Sequence, residues 1–272
     1  MSTNASAAPP EDPSSGKVDV SISDGVGWMI LDNPSKLNAV SESMWRTIVD
    51  ALATFETDPA LRCVVITGEG EKAFCVGADL AEKDRAARES GPQANHAGID
   101  ALGKIQRFSK PVVARISGYC LGAGLALALA CDIRVAAIGS RFSMPAAKLG
   151  LPCNYAFVER LGHLVGPATA KRMMFTADRF AAEDALRFGL IDELVSADDL
   201  SPVVKDLAAR IAANAPLTVA AAKYAVETVF SAAPVRDLDG CAERERACIQ
   251  SEDYSEGRRA FVEKRAPQFQ GR

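Results

Sequence analysis

Short β-branched runs alternate with stretches of helical spacing through about residue 200, and that rhythm limits the folds open to this chain. "CVVITG" (63–68) reads as a short buried strand, and "PVVARIS" (111–117) as another. "DIRVAA" (132–137) and "RFSMP" (141–145) are further short strands. Between strands, "SESMWRTIVDALATFETD" (41–58) sets Met44, Ile48, Leu52 and Phe55 on one helical face, with Ser41 as the N-cap. A second helical face follows in Ile99, Leu102, Ile105 and Phe108. "VDVSISDGVGWMIL" (18–31) alternates about Asp24-Gly25 and predicts a hairpin. Strand, helix, strand, helix means an α/β domain with parallel pairings. After about Ser201 the texture is helical to near Phe269, and no internal repeat of fixed period occurs. The expected division is a disordered tail at 1–17, an α/β core at 18–200 and a helical region at 201–272.

Composition narrows the function classes. With 31 basic against 35 acidic residues the net charge is −4, which provides no general field for nucleic acid or anionic membrane. Seven cysteines without a CxxC pair, alongside two histidines, argue for reduced thiols and against a zinc site. The opening "MSTNASAAPPEDPSSGK" has no apolar core and reads as a tail, not a targeting peptide. No window reads as a membrane span, so the expected location is cytoplasmic, with no membrane or nucleic-acid partner.

Three motif matches fail. Gly98 to Lys104 nearly spells a phosphate-binding loop, but Ile105 stands where magnesium needs a hydroxyl, and no strand precedes it. Gly122-x-Gly124 lacks the third glycine of a dinucleotide fingerprint. No G-x-S-x-G elbow occurs. Two stretches remain, "KAFCVGADLAE" (72–82) and "ISGYCLGAGLALALACDIRV" (116–135), each a short strand running into a Gly-Ala step. Bare backbone lets N–H groups approach a ligand, and a helix opening there favours negative charge. Two such donors on one carbonyl oxygen would form an oxyanion hole. Tight strand–helix packing explains the same glycines equally well.

"AFCVGADL" (73–80), "GYCLGAGLALALACDIRVA" (118–136), "RFSMPAAKLGL" (141–151), residues 164–195 and "SEDYSEGRRAFVEKRAPQF" (251–269) resemble the enoyl-CoA hydratase/isomerase (crotonase) superfamily, in order and with the right spacings. The resemblance implies a spiral of ββα turns with a C-terminal helical trimerisation region, and a homotrimer or hexamer. It implies an acyl-CoA substrate and no separate cofactor or metal. Its two thioester-binding N–H groups fall on Ala78 and Ala123; the second is usually glycine, so an alanine there is strained if φ must be positive. The coenzyme A contacts fall on Lys36 and Leu37 of "NPSKLNAV", and on Phe261 and Lys264, often reaching from a neighbouring subunit. A basic residue common in relatives is Ala81 here, with Lys83 nearby.

The departure concerns catalysis. The two glutamates that handle water and the α-proton in hydratases of this family align with Ala126 and Ala146, and alanine moves no proton. Candidates on the next segment are Asn154, able to orient substrate; Tyr155, able to donate; and Glu159, a general base if it faces inward, or an exposed or arginine-paired helix residue otherwise. Asp79 and Asp132 read as structural, and His96 and His163 are isolated. Isomerase, decarboxylase and non-catalytic acyl-CoA binder all fit this pattern.

Overall fold

The computed structural model describes residues 16–82, 84–85, 96–230 and 236–272. The expected N-terminal tail lies outside these but for its last two positions, and Lys17 already belongs to a strand. That strand, β1 (Lys17–Ser23), pairs antiparallel with β2 (Val26–Asp32). Asp24 and Gly25 between them both take positive φ, 51° and 74°, as a two-residue hairpin turn requires. Helix α1 (Glu42–Thr57) starts where Ser41 accepts a hydrogen bond from the Met44 N–H at 3.3 Å.

Three ββα turns follow. The first is β3 (Cys63–Gly68), β4 (Ala73–Cys75) and α2 (His96–Arg107). The second is β5 (Val112–Ile116), β6 (Tyr119–Leu121) and α3 (Ala123–Ala130). The third is β7 (Ile133–Ala137), β8 (Arg141–Ser143) and α4 (Tyr155–Thr176), the helix being kinked at Gly166-Pro167. Each turn sends its first strand to a six-stranded sheet and its second to a four-stranded one. With β9 (Phe180–Ala181) and, after α5 (Ala182–Phe188), β10 (Glu193–Val195), the orders are β1-β2-β3-β5-β7-β10 and β4-β6-β8-β9.

The large sheet explains its own sequence. Val64 and Ile66 join one core with Trp45, Phe55 and Ile105, while Cys63 and Val65 join another on the opposite face with Val113 and Val135. Both faces are covered, so alternation disappears. The second cover is helix α6 (Ala197–Ala212), through Leu200, Val204 and Ala208. The boundary expected at residue 200 therefore falls inside a helix that packs on the sheet. Beyond it lie α7 (Pro216–Val229), α8 (Leu238–Gln250) and α9 (Glu252–Glu263). Lys223 fastens α7 to the core through Asp132 at 2.8 Å, and Asp132 also accepts from the Val112 N–H at 2.7 Å.

Residues 265–272 fold back along α9. Glu256 accepts from Arg265 and from the Gln268 N–H, and Asp253 accepts from the Gln270 and Gly271 N–H groups. Hydrogen bonds from Arg265 and Arg259 hold the Glu256 carboxyl well below the usual glutamate range. Its bond to the strap is thus fully present above the ordinary carboxylate pKa of about 4.3 and is lost as pH falls from there toward the depressed value. The protection of the 265–272 amides, taken as the observed exchange rate against the intrinsic rate at the same pH, is expected to fall in acid below that point. Glu256→Gln lowers it at neutral pH; unchanged protection in that variant would show that the carboxylate does not hold the strap.

Candidate active site

Beyond β4 the chain runs beside Val40, whose N–H donates to Gly77 O at 2.8 Å while its carbonyl accepts from the Asp79 N–H at 3.0 Å. Successive N–H groups of extended chain point to opposite sides. The Ala78 N–H is therefore turned away from Val40. On that other side the turn between β6 and α3 arrives. A Cβ built on Gly77 would lie 3.7 Å from the Ala123 nitrogen, and one on Gly122 would lie 3.7 Å from Gly77 Cα. The described residues supply no acceptor for the N–H of Ala78 or of Ala123. Ala123 opens α3, where free N–H groups and the positive dipole end coincide.

The glycines divide their work. Gly122 takes φ 55°, so the positive φ falls one residue before Ala123, and the strain expected of an alanine at the donor position does not arise. Gly118 and Gly124 answer to packing: Cβ atoms there would stand 2.0 Å from Lys72 O and 2.2 Å from Cys75 O. Gly122 alone of the three borders the facing turn, so close strand–helix packing accounts for the other two.

Asp79, almost fully buried, accepts from the Ala81 and Glu82 N–H groups and pairs with Lys36 Nζ at 2.6 Å. Burial pushes its carboxyl up, but Lys36 and the two N–H donors outweigh that and hold it below the ordinary range. Lys36 and Leu37 end a short turn at Pro34–Lys36, with Leu37 in the left-handed region. That turn is thereby pinned to the loop carrying Ala78. Cys75 lies behind the loop, its Sγ accepting from the Gly77 N–H; burial pushes the thiol up to about 12, so it is no nucleophile at neutral pH.

Ala126 shares with Ala123 one face of α3, three residues on. It lines a cavity of about 600 Å³ with Asn154, Phe157 and Gly103. Ala146 is buried in the short turn Pro145–Leu149, whose proline approaches Gly122. Asn154 uses its Oδ1 to cap α4, accepting from the Ala156 N–H at 2.8 Å, and keeps its amide N–H₂ as a donor. Tyr155 is the first residue of α4 and is 73 % exposed. Glu159 borders a different cavity of about 570 Å³, with His163, Lys223 and Glu227. The arginine that pairs on this helix is Arg160, which binds Glu227 at 2.8 Å and the carbonyl of Leu129. Phe261, on α9, is 85 % exposed, and Lys264 caps that helix.

Sequence reasoning missed Gln106 and Arg107, which border both cavities. The signal available was an arginine four residues after Gly103. Residues 86–95 lie outside the described residues, as does Lys83. Among the described residues no three His, Cys, Asp or Glu side chains gather as a metal-binding group, and no helix is long and apolar enough to cross a membrane.

Residues 21–272 match a family model described as Enoyl-CoA hydratase/isomerase. A crotonyl-CoA hydratase of Syntrophomonas wolfei is 33 % identical over 241 residues, covering 89 % of this chain and 93 % of that protein. A carnitinyl-CoA dehydratase of Salmonella typhi is 38 % identical over 249 residues, covering 89 % and 94 %. The crystal structure of an enoyl-CoA hydratase/carnithine racemase from Magnetospirillum magneticum superposes with a TM-score of 0.85 at 30 % identity, covering 94 % of this chain and 96 % of that one.

Proposed function

This chain belongs to the enoyl-CoA hydratase/isomerase family, a family of lyases and isomerases, and we propose that it binds an acyl-CoA thioester and stabilises the enolate formed at its α-carbon without two-carboxylate hydration. The observation that carries this reading is a pair of N–H groups, on Ala78 and Ala123, left without acceptors on two turns so close that a Cβ added to Gly77 or Gly122 would reach van der Waals contact with the facing turn. Preorganised donors of this kind stabilise oxygen charge as it develops, because they need no reorganisation when it forms. Alanine at 126 and 146 leaves nothing at those positions to activate water. Asn154 keeps an amide donor on the cavity and serves to orient the acyl group. Tyr155 stands at the same helix start. Glu159 serves as proton carrier if the substrate reaches past Arg160 into the adjoining cavity. Lys36 and Leu37 take the coenzyme A, with Phe261 and Lys264 of a neighbouring subunit at its nucleotide. Exposed Val226, Val229 and Leu238 on α7 and α8, with Phe230 just past the end of α7, suit the association into trimers or hexamers that this arrangement needs.

In D₂O, the α-protons of saturated and unsaturated acyl-CoAs are expected to exchange for deuterium while crotonyl-CoA is not hydrated. Mass spectrometry of the recovered thioester reads the first, and loss of the enoyl absorbance reads the second. Hydration at the rate of an ordinary hydratase would overturn the assignment of Ala126 and Ala146. Tight thioester binding without exchange would replace enolate chemistry with the non-catalytic binder. Exchange that persists in Glu159→Gln would clear Glu159 of proton transfer.

A further inference from the structure

We propose that the acyl cavity selects thioesters whose far end carries a carboxylate, with Arg107 as the residue that reads it; this rests on the acyl-CoA assignment above. The cavity lined by Ala126 runs along α3 to Ala130 and across to α2. From Ala123 to Ala130 is about 10 Å of helix at 1.5 Å per residue, the reach of a medium-length acyl chain with a polar terminus. The charges on this lining are largely matched. Asp100 pairs with Lys104 at 2.8 Å, and Arg160 pairs with Glu227 and the Leu129 carbonyl. Arg107 differs: no described carboxylate or carbonyl accepts from its guanidinium.

Its placement depends on Gly103. A Cβ there would stand 3.0 Å from Arg107 Nη2 and 3.2 Å from Nη1, so the guanidinium lies down along α2 against the bare glycine, and both residues line the cavity. A planar guanidinium matches a carboxylate with two parallel hydrogen bonds. The free amide N–H₂ of Asn154 and the side chain of Gln106, on the same lining, add neutral polar groups. A distal alkyl end would leave this cation and these donors to water and gain nothing from them, and a distal ammonium would meet like charge.

Adipoyl-CoA, hexanoyl-CoA and ω-trimethylammonio-hexanoyl-CoA, titrated calorimetrically into the full-length protein, test the selection. Adipoyl-CoA is expected to bind about tenfold more tightly than hexanoyl-CoA at low salt, the ammonium ester most weakly. The adipoyl preference shrinks as ionic strength rises, since Arg107 is exposed to solvent. In Arg107→Met the adipoyl-to-hexanoyl ratio falls toward one, and Arg107→Lys restores part of it. Gly103→Ala, which lifts the guanidinium off the helix, also lowers the ratio. Equal binding of adipoyl- and hexanoyl-CoA, or a preference that survives Arg107→Met, overturns the role of Arg107 and leaves the acyl-CoA assignment standing. Failure of all three esters to bind overturns that assignment and this proposal with it.

Discussion

Ala123→Pro is expected to slow α-proton exchange of a bound acyl-CoA by about 10²–10³-fold, the usual effect of removing one oxyanion donor. The substitution is informative because of where Ala123 sits. It is the first residue of α3, the position at which a helix accepts proline without losing an internal hydrogen bond. What proline removes there is the N–H itself. The preceding residue is Gly122, whose lack of a side chain eases the steric restriction that proline imposes on its predecessor. Ala123→Ser keeps the N–H and is expected to retain exchange within a few-fold, which separates the backbone donor from the side chain. Thermal melts of both variants establish that α3 is intact. Should Ala123→Pro fold and exchange like the parent, the Ala123 N–H does not hold the thioester oxygen.

Gly118→Ala is expected to cost about 2–6 kcal/mol of stability, from backbone strain of about 1–3 and overpacking of about 1–3. A domain with about 5–15 kcal/mol in hand is then near its limit. Gly118 combines φ 68° with a Cβ position 2.0 Å from Lys72 O. Two other glycines separate these contributions. Gly70 has φ 72° with nothing within 4 Å of its Cβ position, so Gly70→Ala reports strain alone. Gly124 has no positive φ but would place its Cβ 2.2 Å from Cys75 O, so Gly124→Ala reports the clash alone. Urea midpoints are expected to fall least for Gly70→Ala and most for Gly118→Ala. If Gly118→Ala costs no more than Gly70→Ala, the close approach of the 118 turn to Lys72 contributes nothing.

Much of the scaffold is legible residue by residue because its determinants are local. Asp24-Gly25 specifies a tight turn, Ser41 caps a helix from three residues away, and the β-branched runs of β3 and β5 announce buried strands. Both Gly-Ala turns, and alanine at 126 and 146, are likewise legible, since identity at a position needs no structure to read. The helix expected to start a separate region, α6, instead covers the large sheet, and its apolar stripe carries no mark of which surface it will meet.

The site itself shows where local information stops. A glycine looks the same in sequence whether it frees a donor, permits a positive φ or lets two backbones touch; in 118–124 the neighbours that decide lie at Lys72, Cys75 and Gly77. Asp79 reads as structural in sequence, but what it braces is seen only when Lys36, 43 residues earlier, arrives at 2.6 Å. Glu159 and Asn154 are five residues apart on one segment, yet the helix that starts at Asn154 turns the glutamate toward a different cavity. The four-residue spacing of Gly103 and Arg107 gained a meaning only with the cavity wall in place around them. By itself, then, the sequence determined the strand–helix order and the caps and turns, because each depends on residues within a few positions. The tertiary structure decided which N–H groups lack acceptors, which charges are paired and which cavity each side chain borders, because those depend on partners that the chain brings together across tens of residues.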